Sequence, residues 1–215
     1  MPLHLYYHPF ASFCQKVLIA LYEKELAFKG CVVDLGDAQS REQFLAVWPI
    51  GKFPVLRDEE GERMIPESSI IIEYLAQHFA GGTTLVPADL ELALEVRLWD
   101  RFYDCHVEIP MAKIVTDRLR PEGQHDFYGI REARSALDIS YAILDREMAH
   151  QRWAAGDAFS MADCAAAPAL FYAHLVQPIS ASHVNLLGFY QRLLDRPSFA
   201  RVVEEAKPYR HLFPE

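Results

Sequence analysis

The sequence predicts a chain in two parts, a small α/β half followed by an all-α half, and three observations carry that expectation. The first eighty residues switch repeatedly between strand-like and helix-like apolar runs. From Ala88 onward the apolar residues recur at helical spacing almost without strand signals. Between these stretches, Gly81 to Pro87 has the small and polar residues of a connection. With 215 residues, 51% apolar and 24% charged, the chain is long enough for one or two globular domains.

In order, Leu3 to Tyr7 reads as a strand, Phe13 to Lys24 as a helix and Cys31 to Asp34 as a second strand, a βαβ opening. A polar segment, Gly36 to Gln43, leads to a short apolar patch ending at Trp48-Pro49. Phe53 to Arg57 and Arg63 to Ile65, on either side of the turn at Glu59 to Glu62, read as a hairpin. Pro66-Glu67-Ser68-Ser69 then opens a helix, Ile70 to Phe79, for which Gly81-Gly82 supplies a C-cap signal. The order of this half is βαβαββα. In the second half, Leu94, Leu98, Phe102 and Ile109 fall along one long helix that also carries Trp99, Tyr103 and His106, and that Pro110 should bend or interrupt. Ile130, Ala133, Leu137, Tyr141, Leu144 and Met148 step by three and four along an amphipathic bundle helix. Another starts at Ser160, and Leu186 to Leu194 and Phe199 to Ala206 are divided by Pro197. The expected domains are 1–80, a linker at 81–88, and 89–215.

Lys and Arg number 21 against 30 Asp and Glu, a net charge of −9, and no basic stretch offers the stripe that phosphate backbones require. Nucleic acid is not an expected partner. No apolar run reaches membrane-spanning length, and Met1 to Glu25 lacks the basic start of a secretory signal. The four cysteines, Cys14, Cys31, Cys105 and Cys164, form no C-x-x-C pair, which fits a reducing cytoplasm. The nine histidines form neither H-E-x-x-H nor H-x-H, so no metal is expected.

Three local patterns then appear in a telling order: Trp48-Pro49-Ile50-Gly51-Lys52-Phe53-Pro54-Val55-Leu56, Pro66-Glu67-Ser68-Ser69-Ile70-Ile71-Ile72-Glu73-Tyr74-Leu75, and Ala155-Gly156-Asp157-Ala158-Phe159-Ser160-Met161-Ala162-Asp163. Together they resemble the cytosolic glutathione S-transferases, of the bacterial serine- or beta-like type with the class left open, over nearly the whole chain. The resemblance implies a thioredoxin-like N-terminal domain that binds glutathione as co-substrate, a helical C-terminal domain that shapes the pocket for an electrophilic small molecule, and a homodimer. It also implies a cis Phe53-Pro54 bond, which would leave the Phe53 main chain open to an extended peptide. Glu67 and Ser68, at a helix start, suit the amine and carboxylate of an amino-acid end, by resemblance the γ-glutamyl part. An ordinary N-cap at Ser68 or Ser69 explains the same residues. Lys52 could meet the glycyl carboxylate or be a solvated surface lysine. Ser160 and Asp163 form an S-x-x-D capping box whose role is folding.

Glutathione chemistry needs the thiolate near neutral pH, which a hydrogen-bond donor and a helix N-terminus can supply. By resemblance the donor belongs in the turn after the first strand, and the family's serine or cysteine position falls on Ala11, which has no donor. Ser12 is the first candidate, although Ser12 and Gln15 also read as a capping box. Tyr7 resembles the tyrosine of the animal-type classes. Cys14 is either a reactive thiol at a helix start or a buried inert one. Phe10, Trp99, Tyr103 and His106 are the candidates for the electrophile pocket, the last three sharing one helix face by spacing. The departure at Ala11 keeps open a non-catalytic glutathione-binding or interaction module and a glutathione-dependent reductase or isomerase.

Overall fold

A computed structural model describes residues 2–214 and divides them into two compact units, with the boundary between Leu85 and Val86. In the first, β1 (Leu3–Tyr7) and β2 (Lys29–Val32) run parallel, with Leu5 opposite Gly30 and Tyr7 opposite Val32. The hairpin of β3 (Val55–Asp58) and β4 (Arg63–Pro66) pairs antiparallel to β1, giving the sheet order β2-β1-β3-β4. The intervening helices are α1 (Ser12–Glu23), α2 (Ala38–Val47) and α3 (Ser68–His78). The order is the expected βαβαββα.

Alternation along β1 buries Leu3 and Leu5 on one face, while Tyr6 joins Val33, Phe44, Val55, Val47, Trp48 and Phe53 in a second core. In α1 every residue from Cys14 to Leu21 is buried, Gln15 and Lys16 included, and α1 packs against α3. β2 lies two residues upstream of the expected Cys31–Asp34, because the register with β1 ends at Val32. Asp34 instead belongs to the loop, where its carboxylate accepts from the Gly36 amide at 2.8 Å and its amide donates to Ser40 Oγ. The polar segment after it is capped by Asp37, which accepts from the Ser40 amide at 2.7 Å, and becomes α2. β3 begins at Val55 rather than Phe53, since Pro54 has no N–H for a ladder.

Asp58 organises the hairpin turn, accepting from the Glu60 and Gly61 amides and from the Tyr74 hydroxyl at 2.6 Å. Burial works against its charge, but these hydrogen bonds hold its carboxyl below the usual range. The double glycine does not cap α3, which ends at Phe79 in extended conformation. Its role is close approach: a Cβ on Gly82 (φ 62°) would lie 2.4 Å from the Lys24 Cα. The segment is strapped to the end of α1 by Lys24 Nζ to the Gly81 carbonyl at 3.0 Å and by Thr83 Oγ1 to Glu23 at 2.7 Å.

The second unit contains α4 (Leu90–Phe102), a π-helical turn (Tyr103–Glu108), α5 (Ile109–Asp117), α6 (Phe127–Glu147), α7 (Met161–Val176), α8 (Val184–Leu194), α9 (Pro197–Ala206) and a short 3₁₀ segment (Lys207–Leu212). α7 is buried nearly throughout and packs on α4, the π turn, α5 and α8. Pro110 interrupts the long helix through its missing N–H, which cannot reach the carbonyl four residues back at His106. That carbonyl accepts from Ser140 Oγ at 2.8 Å instead, and the chain widens into the π turn just before the proline. Leu94, Leu98 and Ile109 are 61%, 60% and 59% exposed, so the apolar stripe read from spacing is not the core side. The buried side is Ala93, Val96, Trp99, Tyr103 and Val107. On α6 the expected Ala133, Leu137, Tyr141, Leu144 and Met148 are buried.

Candidate functional site

In the first unit, β1 delivers the chain into a tight turn ahead of α1, where the Ala11 amide donates to the His8 carbonyl at 3.0 Å. Ala11, not Ser12, is the N-cap of α1 (φ −86°, ψ 125°), and it brings no side-chain cap. Ser12 is therefore the first helical residue. The Ser12–Gln15 box expected from spacing does not form in that register, and Gln15 Nε2 donates to the Pro9 carbonyl at 3.0 Å. The helix keeps its amide-rich N-terminus clear of an N-cap side chain, an arrangement suited to an anion.

Around this turn, His8 Nδ1 accepts from the Phe10 amide at 3.2 Å, while the imidazole lies near the Phe53 ring. Burial pushes its pKa down, against the opposing field of Asp34, so the neutral tautomer with a bare Nδ1 is favoured. Tyr7 points along the sheet, its hydroxyl 3.1 Å from where a Cβ would stand on Gly30 of β2. Its ring thus occupies the space opened by that glycine. Cys14 is fully buried, and burial drives its thiol pKa up despite the His8 amide 3.5 Å from Sγ. Of the two readings of Cys14, the burial that one of them expects is present.

The Phe53-Pro54 bond is cis. Its loop leaves Lys52 exposed and packs the Phe53 ring against Phe44. After β4 the chain enters α3 through Glu67, a non-glycine residue at φ 69° with an exposed side chain that makes no cap hydrogen bond. Backbone strain of this kind costs about 1–3 kcal/mol and is characteristic of ligand clamps. The helical ladder starts with the Ile71 amide to the Glu67 carbonyl at 2.9 Å, so the Ser68, Ser69 and Ile70 amides precede it. Ser68 is buried, and Ser69 Oγ accepts from Lys16 Nζ of α1 at 2.9 Å.

In the second unit the π turn alters the aromatic face read from spacing. Phe102 packs against Trp99 at 5.2 Å and His106 at 5.1 Å, making Trp99–Phe102–His106 the continuous row. Tyr103 turns inward, 0% exposed, and its hydroxyl has no hydrogen-bond partner among the described residues. Sequence reasoning did not single out Phe102, Lys16 or His8 as site candidates; the interruption that turns Tyr103 inward could have been suspected from Pro110. Ser160 and Asp163 form the expected capping box, the carboxylate accepting from the Ser160 amide at 2.9 Å and the Ala154 amide at 2.8 Å. Burial pushes the Asp163 pKa up to about 7, against those hydrogen bonds and the Arg196 field. Among the described residues no cluster suits a metal ion, and no helix is long and apolar enough to cross a membrane.

Residues 5–83 match the family model for the glutathione S-transferase N-terminal domain, and residues 127–195 that for the C-terminal domain. Glutathione S-transferase 3 of Zea mays is 30% identical over 210 residues, covering 94% of this chain and 93% of the relative. The chain belongs to the glutathione S-transferase family. Another relative of this family member is glutathione S-transferase GstB of Escherichia coli K12, 29% identical over 195 residues, 88% of this chain and 91% of the relative. Among solved structures, a glutathione S-transferase from Methylobacillus flagellatus with GSH bound superposes with a TM-score of 0.84 at 25% identity, covering 93% of this chain and 98% of that one. Glutathione transferase F7 of Populus trichocarpa gives 0.82 at 27% identity, with 94% and 98% covered. The sheet and helices of the first unit are thus the thioredoxin-like domain of a glutathione S-transferase, and the second unit is its helical domain.

Proposed function

We propose that this chain is a glutathione transferase that binds reduced glutathione in its first unit and directs the thiolate at an electrophilic, apolar small molecule. The observation that carries this reading is the pair of helix N-termini there: α1 opens behind a side-chain-free cap at Ala11, and α3 opens behind the strained Glu67. Each favours an anion. The α3 end takes the γ-glutamyl carboxylate on the Ser68 amide and hydroxyl, Glu67 takes the amine, the Phe53 main chain pairs with the cysteinyl residue, and Lys52 meets the glycyl carboxylate. The α1 end takes the sulfur.

Ser12 is then the thiolate donor, because it is the hydroxyl in the first turn of α1, whereas the Tyr7 hydroxyl lies over Gly30. Together with the helix N-terminus it lowers the pKa of a thiol that is otherwise about 8.5. The proton leaves to solvent, the sulfur lone pair forms the C–S bond, and the leaving group departs with its bonding electrons, or an activated double bond takes up a proton instead. On the second unit, Trp99, Phe102 and His106 form an aromatic row suited to an apolar electrophile, and the inward, buried Tyr103 packs against Phe102; Phe10, in the turn before α1, is an apolar side chain of the first unit and is taken as a separate candidate. A reductase running through Cys14 is disfavoured by its buried, proton-retaining thiol.

We extend the proposal to a homodimer, for which the exposed row Leu90, Leu94 and Leu98 along α4 supplies apolar surface at i, i+4 and i+8. Four free cysteines fit a reducing, cytoplasmic setting. Calorimetric titration with glutathione and S-methylglutathione tests the central reading. Saturable binding of both, with the free thiol favoured as pH rises, is expected; no binding of either at millimolar concentration would reject it.

A further inference from the structure

Lys16 is 1% exposed, in the second turn of α1. A lysine is seldom buried to that extent, since an apolar side chain would fill the same space without the cost of desolvating an ammonium. Its Nζ does not reach for solvent; it donates to Ser69 Oγ at 2.9 Å, across the packed pair α1 and α3. Ser69 is the second residue of α3, between buried Ser68 and the first ladder amide at Ile71. The ammonium therefore lies against the first turn of α3.

We infer that Lys16 is a positioning residue that sets the demand for an α-carboxylate at the α3 N-terminus. This rests on the reading of the first unit as a glutathione site and names the group that selects the γ-glutamyl end. The bond to Ser69 pins the first turn of α3 so that its amides keep one direction, which counts because that turn follows a strained residue, Glu67.

The test compares S-methylglutathione, which has the γ-glutamyl carboxylate and no free thiol, with S-methylcysteinylglycine, which lacks the γ-glutamyl end, by calorimetry on the full chain. Lys16→Met and Ser69→Ala should each weaken the first ligand on the order of two- to tenfold, the range of one intramolecular hydrogen bond, and move the second by less than about twofold. Ser69→Thr, which keeps the hydroxyl, should restore binding. The double variant should bind no more weakly than Lys16→Met, because both act along one path. In turnover, KM for glutathione should rise with kcat changed less than about twofold.

A lowered Tm with an unchanged ratio between the two ligands would reduce Lys16 to a packing role and overturn the inference. Additive losses in the double variant would overturn the path through Ser69. A wild-type chain that binds neither ligand would overturn the glutathione reading itself and this inference with it. Wild-type binding that is untouched by the variants would overturn this inference alone. Should Lys16→Met not fold, the Ser69→Ala and Ser69→Thr pair carries the same comparison.

Discussion

Two single residues bear most of the proposed chemistry, and each has a distinct failure. Ser12→Ala removes the one hydroxyl in the first turn of α1; activity should fall by at least tenfold and the pKa of bound glutathione should rise by about one unit, read from the thiolate absorbance against pH. Unchanged conjugation would pass the role to the α1 amides alone. Glu67→Gly exchanges a strained side chain for the residue that tolerates φ 69°, so the protein should gain about 1 kcal/mol in urea unfolding while glutathione binding weakens. A stability gain without a binding loss would show that the Glu67 carboxylate does not hold the ligand amine. Residues of this kind are half legible in a sequence. Glu67 and Ser68 stand out beside a helix start, but the strain at Glu67 belongs to backbone geometry, and the burial of Lys16 depends on a packing partner more than fifty residues away.

The elements show where spacing rules succeed and where they are overruled. Strands of β1 type and helices such as α6 were readable because one face is buried, and periodicity reports that face directly. On α4 the same rule selected the wrong stripe, since Leu94 and Leu98 are exposed while the core side carries Ala93, Val96 and Asp100. The α1 cap shifted by one residue for a related reason: Ser and Gln three apart satisfy the pattern of a box, yet the turn geometry ends at Ala11. The Ser160–Asp163 box, by contrast, is readable and testable. Asp163 has a folded pKa of about 7 against an unfolded value near 3.9, so the native state holds the extra proton between those values. Stability should therefore fall as pH rises across that window, by at most about 1.4 kcal/mol per pH unit, and Asp163→Asn should flatten the slope in urea titrations at pH 4.5, 5.5 and 6.5. A slope that survives the substitution would assign the dependence elsewhere. At the strap after α3, Gly82→Ala should cost about 2 kcal/mol or more, because the new methyl meets main chain rather than a movable side chain.

At the scale of the whole molecule, the two-part organisation was legible because strand-type and helix-type periodicities occupy separate stretches of chain. The aromatic row of Trp99, Phe102 and His106 was only half legible, because Pro110 announces an interruption of the helix but not the inward turn of Tyr103. Leu94→Glu with Leu98→Glu tests assembly: sedimentation should shift from a dimer to a monomer at micromolar concentration with glutathione binding in the first unit retained. A wild-type monomer at that concentration would remove the dimer. The sheet order has its own consequence for the fate of the chain in a crowded cell. Both outermost strands are only four residues long; β2 opens with Lys29, and β4 opens with Arg63 and closes on Pro66. A rim so short, charged and partly stripped of donors is a poor template for recruiting further strands, so the sheet resists growing into fibrous aggregates.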